Sequence, residues 1–248
     1  MPRADSSAGG SAWHRRAPIA AAVLLVLVAA AVYAATASPL FRARILNVEG
    51  GGKLGREQIL HLAQIDTNTN ILWLSGSAVT GRLVASPWVK SATVSKSYPS
   101  TLTIGVVERS AVAVTHSGAA WMSVAADGTG LETNERMPPG LPQIVGAVGP
   151  TVGHAAAETT PAAAAAGFMN EATRSQVERI LVASDGTLRL FLSAGGRVEY
   201  GPPTELKEKA DALSGILSWA QENNSKIRTV DITAPGAPAA KVTKPASA

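Results

Sequence analysis

At 248 residues, with a formal net charge of +4 and no cysteine, the chain is long enough for one large domain or two small ones, and it offers neither a disulfide nor a thiolate metal site. Its lysines and arginines are scattered and aromatic residues make up only 4% of the chain, which argues against a basic, base-stacking nucleic-acid surface. The mild positive balance suits an anionic membrane surface instead.

Residues 1–16 read as a short tail, rich in Gly, Ser and Ala as far as Ser11. From Ala17 to Ala37 there is no charge, and Ile19 through Val28 is almost wholly aliphatic. A helix needs about 20 apolar residues to cross a bilayer, so a single transmembrane helix is predicted over 17–38. Pro18 stands at its entry, where a missing N–H costs little, and Trp13 and Tyr33 stand where interfacial aromatics sit. Ala35-Thr36-Ala37 also presents a small-residue cleavage site of the secretory type. The apolar run exceeds the roughly 7–15 residues of a signal core, which favours a retained anchor. Arg3, Arg15 and Arg16 on one side nearly balance Arg42 and Arg44 on the other, but Arg15 and Arg16 abut the helix and the tail is short, which favours a cytoplasmic N-terminus with the rest extracytoplasmic.

A first unit is predicted over 44–114. Ile45–Glu49 reads as a strand, and Gly50-Gly51-Gly52 punctuates it. Arg56–Ala63 reads as a short helix with Ile59, Leu60, Leu62 and Ala63 on one side. Ser77 is placed to cap a second helix that runs through Ala85, with Val79, Leu83 and Val84 inward, and Pro87 stops it. Val89–Lys96 and Leu102–Glu108 read as a hairpin across Ser97-Tyr-Pro-Ser100, with Leu102, Ile104 and Val106 on its buried face. The order is β-α-α-β-β.

A second unit is predicted over 115–233. It has a strand at Trp121–Val124, a turn at Asp127-Gly128, and Leu141–Gly146 after a Pro-Pro-Gly break. Segment 147–166 is so rich in Ala, Gly, Thr and Pro that composition alone makes it a linker or a poor helix. A meander follows over Val177–Val182, Leu188–Leu192 and Arg197–Tyr200. Thr204 is placed to cap a helix with Leu206, Ala210, Leu213, Leu217 and Ala220 on one stripe, and Asn223-Asn224 ends it. Lys207/Asp211 and Glu205/Lys209 have i,i+4 spacing and read as a solvated face. Thr229–Ile232 is the last predicted strand, and 234–248 reads as a disordered Pro/Ala tail. The fold class expected is therefore α+β: one membrane helix, a small β-α-α-β-β unit, and a mainly antiparallel β domain with a packed helix.

No motif commits the chain to catalysis. Gly50-x-Gly52-x-x-Gly55 sits between a strand and a helix, as a pyrophosphate cradle does. The acidic residue needed about 20 positions later is missing, because Asp66 comes too early and in a polar turn. His14, His61, His116 and His154 lie in separate segments, which makes a shared metal site improbable. Glu108 and Arg109 point to opposite faces of a strand and read as partners of other groups, and Trp88 reads as a core anchor. No cofactor, metal or small-molecule substrate is expected.

The series Pro87-Trp-Val-Lys-Ser-Ala-Thr-Val94, Tyr98-Pro-Ser-Thr-Leu102 and Val107-Glu-Arg-Ser-Ala-Val-Ala113 resembles the FtsQ/DivIB cell-division proteins. Downstream, Asp127-x-x-Gly130, Leu141-Pro-x-Ile-Val-Gly146, Gly195-Gly-Arg-Val-x-Tyr-Gly201, the Lys207–Asp211 region and Val230-Asp-Ile232 are similar too. Ser110-Ala111 departs from the family, where a proline usually follows the Glu-Arg pair. The resemblance implies that the first unit is a polypeptide-transport-associated (POTRA) domain and the second a β domain. It also implies a non-enzymatic scaffold at the division septum that regulates septal peptidoglycan synthesis through FtsB/DivIC- and FtsL-type partners. In relatives the partner adds a strand beside the last strand of the β domain, which maps here to Thr229, Val230, Asp231, Ile232, Thr233 and Ala234. POTRA domains also serve envelope protein assembly and secretion, which is the competing reading.

Overall fold

The computed structural model describes residues 13–243, with side chains from residue 21 onward. The predicted tail therefore lies mostly outside the described residues, as do the side chains of 17–20 at the start of the predicted span. Helix α1 runs Trp13–Thr36, and from residue 21 to Ala35 every residue is exposed. Among the described residues no helix is long and apolar enough to cross a membrane. A single 3-10 turn, Pro39–Phe41, follows, with the Ser38 hydroxyl accepting from the Leu40 N–H.

The first unit has the expected order: β1 (Ile45–Glu49), α2 (Arg56–Ala63), α3 (Gly76–Val84), β2 (Val89–Ser97) and β3 (Thr101–Glu108). The sheet order is β1-β3-β2, with β1 parallel and β2 antiparallel to the central β3. Leu102, Ile104 and Val106 meet Ile59, Ala63, Val79 and Leu83 in one buried core, as the alternation required. Two details differ from expectation. Ser75, not Ser77, caps α3 by accepting from the Ala78 N–H, and Val84 points to solvent, because Val79 and Leu83 already fill the inward stripe. Tyr98–Pro99, in the β2–β3 turn, is cis.

The unit ends at Glu108. The segment from residue 111 leaves the first sheet and forms β4 (Ala111–Ser117), a central strand of the second, which corrects the boundary at 114. Its apolar run is buried on both faces, as a central strand demands. The second sheet adds β5 (Ala120–Ala125), β6 (Gly130–Asn134), β7 (Gln143–Val145), β8 (Val177–Val182), β9 (Leu188–Leu192), β10 (Arg197–Gly201), β11 (Lys226–Asp231) and β12 (Ala239–Thr243). Their spatial order is β12-β11-β10-β9-β8-β7-β4-β5-β6, and antiparallel pairings outnumber the parallel ones. The protein is thus mixed α+β, as expected.

Residues 160–166 of the alanine-rich segment belong to an ordered helix, α4 (Thr160–Phe168), whereas 147–159 is a connecting loop with isolated bridges at Val152 and Ala155. Ala162, Ala163, Ala165 and Ala166 are all buried, since α4 lies between the sheet and α6 (Leu206–Glu222). A helix buried on most of its surface by small residues has no amphipathic stripe to read, and alanine lets it approach closely. A Cβ on Gly167 would lie 2.6 Å from the Ala126 Cβ. A short helix, α5 (Glu171–Arg174), leads into β8. At the start of α6 the cap residue is Glu205, in left-handed backbone, rather than Thr204. The helix buries Ala210, Leu213, Leu217 and Ala220 as the stripe predicted. Lys209 is buried too, which corrects its reading as part of a solvated face. Its ammonium donates to the Pro202 carbonyl at 2.7 Å and lies over the Tyr200 ring. Burial pulls its pKa below the usual lysine value, against a smaller opposite effect from Glu205. Lys207 and Asp211 do form an exposed ion pair at 2.9 Å.

Candidate interaction site

The chemistry-bearing positions are best taken where the two units meet. The Glu108 carboxylate accepts from the backbone N–H groups of Lys53 (2.7 Å) and Leu54 (2.9 Å). The glycine loop does present amides to an anion, but the anion is the chain's own side chain. Gly50 takes φ +85°, and a Cβ there would run into the Val106 carbonyl, so the loop is shaped to lie on β3. Arg109, on the opposite side, donates through Nη1 to the carbonyls of Pro87 (3.0 Å) and Val89 (2.7 Å), and through Nε to Asp127 at 2.8 Å. One guanidinium thereby ties the first unit to the β5–β6 turn of the second. Burial raises the Asp127 pKa. Hydrogen bonds from Arg109 and Thr129 and the guanidinium charge outweigh it and hold the carboxyl below its usual value. Lys53 adds an ion pair to Glu132 at 3.4 Å and a cation–π contact with half-buried Trp88, 3.3 Å from the ring centroid. The reading of Glu108 and Arg109 as partners of other groups is thus met residue by residue.

Thr229–Ala234 was expected to present an unpaired strand edge. The structure places Thr229, Val230 and Asp231 in β11, between β10 on one side and β12 on the other. The Ile232 N–H donates to the Glu199 carbonyl at 3.0 Å, the Thr233 N–H to Asp231 Oδ1 at 3.0 Å, and Ala234 O accepts from the Ala237 N–H. This backbone is occupied internally and is not the edge. Val230 and Ile232 are buried, and Asp231 and Thr233 are exposed.

The edge belongs to β12. Pro235 and Pro238 fall in the turn after β11, not in a strand, and Ala239–Thr243 then runs back antiparallel with Ala240 opposite Val230 and Val242 opposite Ile227. This corrects the reading of 234–248 as a disordered tail as far as Thr243, and residues 244–248 lie outside the described residues. The signal was weak because Ala-Ala-Lys-Val-Thr holds two poor strand formers, and only pairing with β11 makes it a strand. Val242 alone packs partly against the core. The opposite edge, β6, is partly screened by bridges from Ala155 and Val152 to Thr129 and Gly130. Among the described residues, the outer backbone of β12 faces no other strand of the sheet.

The geometry thus comprises a small β-α-α-β-β unit and a large sheet with an open terminal strand, and among the described residues no group of His, Asp and Glu could hold a metal ion. Residues 41–109 match the family model "POTRA domain, FtsQ-type". The cell division protein FtsQ of Mycobacterium tuberculosis is 30% identical over 240 residues, covering 96% of this chain and 73% of that protein. The namesake from Mycobacteroides abscessus is 30% identical over 213 residues and is itself covered over 63% of its length. A solved structure of the major extracytoplasmic domain of the cell-division protein DivIB from Geobacillus stearothermophilus aligns at 15% identity and a TM-score of 0.35, over 47% of this chain and 95% of that one. The chain belongs to the FtsQ/DivIB family of cell-division proteins.

Proposed function

We propose that the chain is a non-catalytic scaffold of the division machinery, held in the plasma membrane by one N-terminal helix with its two folded units outside the cytoplasm. Its role is to link early and late division proteins at the septum and to regulate septal peptidoglycan synthesis. The observation that supports this reading is the combination of family membership over nearly the whole chain with an open terminal strand. The uncharged stretch Ala17–Ala37 supports the anchor.

The partners are small bitopic proteins of the FtsB/DivIC and FtsL type. Such a partner extends the sheet by adding a strand to β12, where main-chain hydrogen bonds supply affinity and side chains supply register. The exposed side chains of Asp231 and Thr233, at the turn leading into β12, border this footprint. Val230 and Ile232 support it from the core side. A fluorescent fusion of the full chain is expected to gather at the division site of constricting cells. An even distribution around the envelope would overturn the proposal.

A further inference from the structure

One end of the first unit collects features that the partner edge does not use. The carbonyl of Thr36, the last residue of α1, accepts from Asn70 Nδ2 at 2.8 Å. The following backbone is laced to the same loop: Ala43 N–H to Thr69 O at 2.9 Å, and Ile71 N–H to Phe41 O at 2.9 Å. Trp73, three residues past Asn70 and so within about 11 Å of it along the chain, is 66% exposed. The β2–β3 turn lies at the same end, because the N–H groups of Arg44 and Ile45 both donate to Ser100 O and Lys96 Nζ donates to Leu74 O. That turn carries Tyr98, 57% exposed. Leu40, Arg42 and Arg44 are exposed between the two, and neither arginine has an ion-pair partner among the described residues. The acid here, Asp66, is engaged within its own loop by the Asn68 N–H and the Thr69 hydroxyl.

Two exposed aromatics, an exposed leucine and two arginines without an ion-pair partner among the described residues thus lie at the end of the first unit that holds the end of the apolar helix. From this we infer that this end of the first unit is seated on the anionic lipid surface, with Trp73 and Tyr98 at headgroup level. The inference rests on the proposed anchor, since a helix that spans the bilayer brings its end, Thr36, to the interface. Tryptophan and tyrosine favour that depth, and arginine there gains from anionic headgroups. The hydrogen bond from Asn70 holds the loop to the helix end. The first unit therefore stands directly on the membrane at a fixed orientation and is not carried on a free stalk.

The chain's own tryptophans supply the test. The full-length protein is reconstituted into vesicles of equal parts phosphatidylcholine and phosphatidylglycerol, with and without a lipid that bears a nitroxide near the headgroup. The Trp73 signal is taken as the difference between the wild type and Trp73→Phe, and the Trp219 signal as the difference from Trp219→Phe. Trp219 lies on α6 of the second unit and is 47% exposed, so both variants change a surface side chain. Quenching of the Trp73 signal is expected to exceed that of Trp219 by about twofold or more, because an interfacial indole lies at the depth of the probe. Equal quenching in protein that an alkaline wash leaves in the vesicles would overturn the seat alone. It would mark the face as one for protein, not lipid. Release of the chain by that wash would overturn the anchor and the seat together.

Discussion

At the scale of single residues, side chains with two faces of chemistry explain most of what joins the units. Arg109 satisfies two carbonyls of the first unit and one carboxylate of the second, so it acts as a clamp and not as half of a catalytic pair. Asp127→Asn is expected to lower stability at neutral pH by about 1 kcal/mol, less than a fully buried charge-assisted bond, because the carboxylate still meets solvent. Its folded pKa is depressed, so its contribution is present above the unfolded value near 3.9 and fades as the pH falls through the lower folded value. Urea unfolding of both proteins at neutral pH and at progressively more acidic pH should therefore show a gap at neutrality that narrows as the pH falls below the unfolded value. An equal gap throughout would detach the effect from the carboxylate charge. Gly50 offers a second test. Its φ of +85° and its approach to the Val106 carbonyl predict a loss of roughly 1–3 kcal/mol for Gly50→Ala, read as a lower thermal midpoint.

At the scale of elements, legibility followed periodicity. The first unit was readable because its strands alternate and its helices are half-exposed, so each pattern shows which face is buried. The stripe on α6 was readable for the same reason, apart from Lys209. Spacing cannot tell a charge that reaches solvent from one that turns under the helix to a carbonyl. Helix α4 and strand β12 were not readable. An alanine-rich helix packed between sheet and helix shows no apolar stripe, and a strand with weak strand formers owes its form to its neighbour β11. The open strand edge was placed one strand too early for that reason: the terminal strand is the element with the least sequence signal. If α4 is held by close approach, Ala165→Leu should cost about 1–3 kcal/mol through overpacking, whereas Ala157→Leu, at an exposed position, should change stability by less than about 0.5 kcal/mol. Chemical denaturation of the two variants checks this directly.

At the scale of the whole molecule, the order along the chain becomes an order in space. The apolar helix ends against one end of the first unit, the clamp at Arg109 joins the far end of that unit's sheet to the second, and the second sheet finishes in β12. An exposed strand edge is normally blunted because it invites pairing with other chains, and among the described residues Lys241 and the strand's short length do so here. In the proposed function, this edge takes the partner's strand. Successive backbone N–H groups in a strand point to opposite sides, so one of Ala240 and Lys241 donates outward and the other toward β11. The most direct measurement is the affinity of the full chain, in detergent, for an FtsB/DivIC-type partner, with Ala240→Pro and Lys241→Pro compared with the wild type. The variant that loses the outward donor should keep its far-ultraviolet circular dichroism and bind at least about tenfold more weakly, a loss of about 1.4 kcal/mol. Wild-type affinity in both folded variants would contradict strand addition at β12 and move the interface elsewhere.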